Sequence, residues 1–171
     1  MKKIFLVLAL SLSLFASQYK VNKEKSSINF HATKFIFVGV SGTFSNFAGT
    51  VTIDNKKLSK INGVIFVNSI NSKEKRRDDH LKADDYFNVA KFPKILFDST
   101  SIKGNSVKAI VNIKGIKKEL SFKISKLSIV GNDVKFTLTS TVDRQNFMLN
   151  GGMSGVINDN VEVTANISAS K

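Results

Sequence analysis

Residues 118–144 read Lys-Glu-Leu-Ser-Phe-Lys-Ile-Ser-Lys-Leu-Ser-Ile-Val-Gly-Asn-Asp-Val-Lys-Phe-Thr-Leu-Thr-Ser-Thr-Val-Asp-Arg. Leu120, Phe122 and Ile124 alternate with Ser121, Lys123 and Ser125, and Val134, Phe136 and Leu138 alternate with Lys135, Thr137 and Thr139. Successive side chains of a strand point to opposite faces, so a period of two marks strands with one buried and one wet face. Gly131-Asn132-Asp133 supplies the turn between them. Clean alternation favours antiparallel pairing, because parallel sheets covered by helices read as unbroken apolar runs.

The same period extends outward in both directions. Ile28, Phe30 and Ala32 show it, as do Val107, Ala109, Val111 and Ile113, and Val161, Val163, Ala165 and Ile167. Turn signals at Asp54-Asn55, Lys103-Gly104-Asn105 and Asn158-Asp159-Asn160 separate the runs. Strands are expected over 19–23, 26–34, 39–53, 60–69, 94–102, 106–114, 118–130, 133–144 and 156–169. Gly39, Gly42 and Gly49 in the third long run suit bends or bulges at barrel corners. So many sequence-adjacent strands need their edges covered, and barrel closure does this. A sandwich with two apposed inner faces is the competing architecture, and period alone does not separate the two.

Two segments break the pattern. Met1-Lys2-Lys3 followed by the apolar run Ile4–Phe15 and the small Ala16 reads as an export signal cleaved near Ala16. The run is too short to cross a bilayer as a helix. Residues 17–171 then form one domain. Between 72 and 92, SKEKRRDDHLKADDYFNVAKF, alternation stops. A short helix is expected over 74–82 and a turn over 84–88, with Pro93 stopping whatever precedes it. Its thin apolar face of Leu81, Tyr86, Phe87 and Val89 is expected to pack on the sheet or plug one end.

Composition excludes several functions. With no cysteine, disulfides, thiolate metal sites and cysteine nucleophiles are ruled out. His31 and His80 lack metal-ligand spacing, so no metal is expected. No Gly-x-Ser-x-Gly elbow is present, and the loop 150–155 does not match one. Asp78, Asp79, Asp84 and Asp85 lie in one run with lysines and arginines, the pattern of a solvated face rather than a catalytic carboxylate pair. No catalytic residues and no enzymatic activity are expected. The formal charge of +13 comes mostly from lysines scattered singly and in pairs. These serve solubility and edge protection, or attract an anionic membrane surface; nucleic acid is not an expected partner of an exported protein. The densest polar group is Arg76, Arg77, Asp78 and His80, which can brace the barrel against Asp143 or Arg144, or meet a ligand's polar head. Val64 and Phe66 face away from Ile65 and Val67, and these doubly apolar strands leave room for a homodimer contact. Phenylalanines such as Phe30, Phe97, Phe122 and Phe136 sit on inward parity. They either fill the solid core of a non-enzymatic stress or interaction protein or wall an apolar ligand, since an eight-stranded barrel is just wide enough for one small ligand.

The stretch Arg77-Asp78-Asp79-His80-Leu81-Lys82-Ala83-Asp84-Asp85-Tyr86-Phe87-Asn88-Val89-Ala90-Lys91-Phe92-Pro93, then Ile95-Leu96-Phe97-Asp98-Ser99, resembles the R-D-x-H-L-R-S-x-D-F-F-D-V-x-x-Y/F-P-x-I-x-F-x-S pattern of the YceI-like family of bacterial periplasmic proteins. Tyr19-Lys20-Val21 with Ser27-Ile28-Asn29-Phe30, Val40-Ser41-Gly42-Thr43-Phe44 with Phe47-Ala48-Gly49, Val111–Lys118 and Val142–Phe147 resemble its other signatures. Lys82, Ala83, Asn146 and Met148 depart from the pattern. The resemblance implies a lipocalin-like antiparallel barrel of about eight strands, a periplasmic location and an interior that binds a polyisoprenoid, an isoprenoid quinone or a fatty-acid-like amide. No cofactor beyond such a lipid is implied. The inward residues expected to line its apolar tail are Phe30, Ile65, Ile95, Phe97, Val111, Phe122, Ile124, Phe136 and Leu138.

Overall fold

A computed structural model describes residues 16–34, 38–151 and 157–171. The export-signal reading of residues 1–15 and most of the loop 150–155 lie outside the described residues. Among the described residues there are eleven strands: β1 (Ser17–Val21), β2 (Ser27–Lys34), β3 (Val38–Phe44), β4 (Phe47–Asp54), β5 (Lys57–Phe66), β6 (Ile70–Asn71), β7 (Lys94–Lys103), β8 (Ser106–Ile113), β9 (Ile116–Val130), β10 (Asp133–Asp143) and β11 (Ile157–Ser170). Every pairing is antiparallel. Strands β1, β4, β5, β7, β8, β9, β10 and β11 follow one another around a ring, and β1 pairs back onto β11. The sheet is therefore a closed eight-stranded barrel rather than a sandwich. Strand β11 also carries β2, which carries β3, which carries the two-residue β6.

The differences from the periodicity reading have local causes. The run 39–53 is two strands, because the chain turns at Ser45-Asn46. That corner is tied down by Ser45 N–H donating to Ser69 O (3.3 Å) and Phe66 N–H donating to Asn46 O (3.0 Å). The run 60–69 ends at Phe66 and continues as a 3-10 turn, Val67–Ser69, before β6. The glycines of the run 39–53 are not bulge sites: Gly42 leaves space for the Phe30 ring, and Gly49 sits opposite Gly63. Register shifts fall instead at Thr52/Ile53, Ser99/Ser101, Lys135/Thr137 and Ile157/Val161. Bulges sharpen strand twist, which a closing sheet requires. At one of them the Ser99 hydroxyl accepts the Ile61 N–H (2.8 Å), so the buried irregularity leaves that donor satisfied.

One end of the barrel is solid. Val51, Val107 and Val134 are fully buried there, with Tyr19, Ile53, Leu58, Ile124, Phe136 and Ala169 around them. Across the other end lies the insertion. Helix α1 (Lys75–Lys82) starts at Glu74, whose carboxylate accepts the Arg76 and Arg77 N–H groups. Ser72, expected near the helix start, is instead a buried anchor. Its N–H donates to Asp78 Oδ1 (2.7 Å), and its carbonyl and hydroxyl accept Arg77 Nη2 (2.6 Å) and Nε (2.8 Å). The turn after α1 carries Tyr86 and Phe87, both buried; the Phe87 ring meets Phe44 edge-on at 6.4 Å. On the outside, Ala48, Val64 and Leu96 run in register across β4, β5 and β7, and Leu96 is 44% exposed.

Phe136 packs in the solid end and is 2% exposed. Truncation Phe136→Ala is expected to cost about 3–5 kcal/mol, the range for burying a phenyl-sized hole. Urea denaturation measures it; a loss under about 1 kcal/mol, the size expected at a surface site, would contradict a packed end.

Candidate functional site: an apolar cavity under the helical insertion

The end beneath α1 is hollow. A cavity of about 780 Å³ runs down from the insertion into the barrel. That volume is within the usual span of small-molecule sites, about 300–1,000 Å³. It is walled almost wholly by apolar side chains from all around the ring and from β2 and β3. A solid barrel, the alternative left open by periodicity, does not fit a cavity of this size.

Of the residues expected on the wall, Phe30, Ile65, Ile95, Phe97, Val111, Phe122 and Leu138 border the cavity. Phe97 and Phe122 meet edge-on at 5.1 Å, and Phe30 tilts against Phe44 at 5.7 Å. Ile124 and Phe136 do not border it; they belong to the packed end. Both have inward parity, as Leu138 does. Parity fixes which face a side chain takes, not how far down the axis it sits, and Leu138 opposite Ile124 marks the boundary between hollow and filled. Periodicity also left out Val161, Val163, Ala165 and Ile167 of β11, which line one whole wall, and Ile113, Leu120 and Val142. Their alternation was the available signal. Leu149 had none: it follows a 3-10 turn, Arg144–Phe147, that ends with Met148 in the left-handed region at φ 54°.

The charged groups on the wall, Glu74 among them, gather at the end under the insertion, while Thr33 and Asn62 are polar neighbours on the strands. Arg76, Arg77, His80 and Arg144 border the cavity, while Asp78 does not, being turned to Ser72. The expected brace between the arginine run and Asp143 or Arg144 is absent among the described residues. Arg77 ties Ser72, and Arg144 ties a separate loop. Arg144 is 3% exposed and donates through Nη1 to Leu149 O (2.6 Å), through Nε to Asn158 O (3.3 Å), and through Nη2 to Ile157 O (3.1 Å) and Asp159 Oδ1 (2.9 Å). Asp143 caps the 3-10 turn by accepting the Gln145 N–H. His80 Nε2 lies 2.9 Å from Asp85 Oδ2, and its ring meets Tyr86 edge-on. Burial pushes the Tyr86 phenol above its ordinary value, with Arg144 pulling the other way, so the hydroxyl stays protonated and able to donate at the rim. Arg76 is exposed and has no side-chain ion pair or hydrogen bond among the described residues. No group of three His, Cys, Asp or Glu gathers to hold a metal among the described residues.

Residues 19–169 match the YceI-like domain family. The chain belongs to the YceI-like family. Curated relatives agree: a Yersinia pestis "UPF0312 protein" is 36% identical over 129 residues, covering 71% of this chain and 67% of its own, and "Protein YceI" of Salmonella newport is 34% identical over 147 residues, covering 78% and 76%. Among solved structures, Burkholderia cenocepacia BcnA superposes with a TM-score of 0.79 at 21% identity, covering 88% of this chain and 99% of that one. A polyisoprenoid binding domain from Saccharophagus degradans, implicated in plant cell wall breakdown, gives 0.70 at 17% identity, covering 89% and 97%. These structures share the YceI-like barrel.

Arg144→Met is expected to cost about 3–5 kcal/mol, because it strands three carbonyls and the Asp159 carboxylate around an apolar side chain. Arg144→Lys should recover less than half, since an ammonium lacks the planar fork. Thermal unfolding reads both; a Lys variant as stable as wild type would show that charge alone suffices.

Proposed function

We propose that this YceI-like protein binds a long apolar molecule in the cavity, tail down and polar end beneath the insertion, and carries or stores it without chemical change. The observation that carries this is the division of the cavity: mostly apolar strand walls through its depth, and charged side chains at one end. Removing a tail from water is worth about 0.8 kcal/mol per methylene, so the site needs no reacting group. The family membership and the likeness in fold to the polyisoprenoid binding domain of Saccharophagus degradans support an isoprenoid-type tail, with a fatty-acyl tail as the variant within the same class. A homologous series of primary alcohols competing with Nile red tests the reading. Affinity should rise about fourfold per added methylene until the tail fills the cavity, then level off. Affinity independent of chain length, with no apolar species extracted from protein purified from its native host, overturns it.

The lysine-rich surface supports transient contact with anionic leaflets, where such a ligand would be collected. The leader Met1–Ala16 supports export to the periplasm. Intact-mass measurement of the protein from its host should give a chain beginning at Ser17; a chain retaining Lys2 and Lys3 contradicts export by cleavage.

A further inference from the structure

The inner wall is bare at one place. Gly49 of β4 and Gly63 of β5 are direct cross-strand partners. Both have inward parity: Gly49 lies between the buried Phe47 and Val51, and Gly63 between Ile61 and Ile65. Where two facing inward residues lack side chains, backbone is what the cavity meets. Accordingly the outward-facing neighbours Ala48, Asn62 and Val64 also border it. On the next strand Phe97 stands opposite Gly63, so the bare patch ends against an aromatic ring.

The two glycines have different reasons to be glycine. A Cβ on Gly49 would lie 2.6 Å from Asn62 O and 3.2 Å from Val21 Cγ2, so the local backbone leaves no room for one. A Cβ on Gly63 would meet nothing closer than Ala48 O and Phe97 Cβ, each at 3.8 Å, which is ordinary contact. The fold therefore accepts a side chain at 63. A glycine inside a strand weakens it by loss of packing and by backbone entropy. Keeping glycine there lowers strand stability, and what results is a wider cavity.

We propose that Gly63 sets the width of the binding cavity: the missing side chain at 63 leaves a lateral recess, bounded by Phe97 on one side and by Gly49 under Val21 on the other, that admits a methyl branch or similar bulge on an apolar tail. This rests on the binding function proposed above and concerns which tails that site accepts. A side chain at 63 fills the recess and leaves the axial path for a straight chain. In a hydrophobic pocket a change of one methylene is worth roughly 10–200-fold in discrimination.

The test uses the full mature chain and Nile red displacement by two alcohols with equal main chains, hexadecanol without branches and phytol with methyl branches. Wild type should bind both. Gly63→Leu should lose phytol relative to hexadecanol by about tenfold or more, and Gly63→Ala should fall between them. The thermal midpoint of Gly63→Ala should equal or exceed that of wild type, because its Cβ clashes with nothing. If Gly63→Leu does not fold, the Gly63→Ala ratio decides. An unchanged phytol-to-hexadecanol ratio in a folded variant that still binds overturns the width role and leaves apolar binding standing. Equal loss of both alcohols overturns it too, since the recess would then lie on the axial path. Wild type binding neither alcohol removes both proposals.

Discussion

Two residue pairs close this barrel. Lys20 with Ser170 and Val21 with Ala169 join β1 to β11. Without them the outer edge of β1 and the end of β11 would present unpaired N–H and C=O groups, ready to add another chain. Strand β1 is only five residues long and is held on both sides, by β4 and by β11. The seam continues past it: Asn22 N–H donates to Ser168 O (2.8 Å), and the Ser26 hydroxyl accepts the Ser168 N–H (2.9 Å). Asn22 also caps a one-turn 3-10 segment, Lys23–Lys25, through its side-chain oxygen. That turn lets the chain end its pairing with β4 and resume as β2 farther along the same edge of β11.

The break at Asn22–Ser26 explains why one end is full and the other hollow. At the solid end the ring closes through β1 alone. At the insertion end β1 is gone, and β2 and β3 take its place: Ile28, Phe30, Ala32, Val40 and Phe44 all border the cavity, whereas Val21 is the sole residue of β1 that does. Barrel diameter grows with strand number. One substituted strand replaced by two enlarges the wall beyond what its side chains fill, and the interior changes from packed valines to a space of about 780 Å³. The solid end then supplies the close packing on which folding stability depends, which leaves the other end free to be under-packed. Apolar wall without partner atoms forfeits dispersion contacts, and a bound tail restores them.

How much of this the sequence carried follows from the same geometry. Period two is a local property, so the β8–β11 strands and their inward sets were legible, as was the helix at 75–82, although it ends at Lys82 and Pro93 only precedes the start of β7. Depth along the barrel axis is set by tilt and register, which no single strand encodes. That is why Ile124 and Phe136 read like Leu138 yet lie beyond the floor. Strand β6 has two residues and no period to detect. Its place is fixed by Thr43 and Phe44 across from it. Arg144 was expected to meet the Arg76–His80 group across the barrel, but its partners are carbonyls of a segment up to 14 residues on, invisible to any spacing rule. The recess at Gly63 was hidden for a related reason, since its partner glycine lies on another strand.

The arginines at the rim also bear on what the positive charge is for. An end built of turns and loops has carbonyls that no ladder satisfies, and buried ones need donors. Arg144 supplies four hydrogen bonds from one planar group, and Arg77 supplies two to Ser72. Their charges are compensated by Asp159 beside Arg144 and by Asp78, bound to the same Ser72 as Arg77. These two arginines are therefore committed to holding the rim in shape. Arg76 is not: it borders the cavity, is exposed, and takes no such role among the described residues. The polar end of the cavity thus combines a rigid frame, a protonated Tyr86 hydroxyl and one uncommitted guanidinium. That set can meet a ligand's polar head while everything below it selects only for an apolar tail.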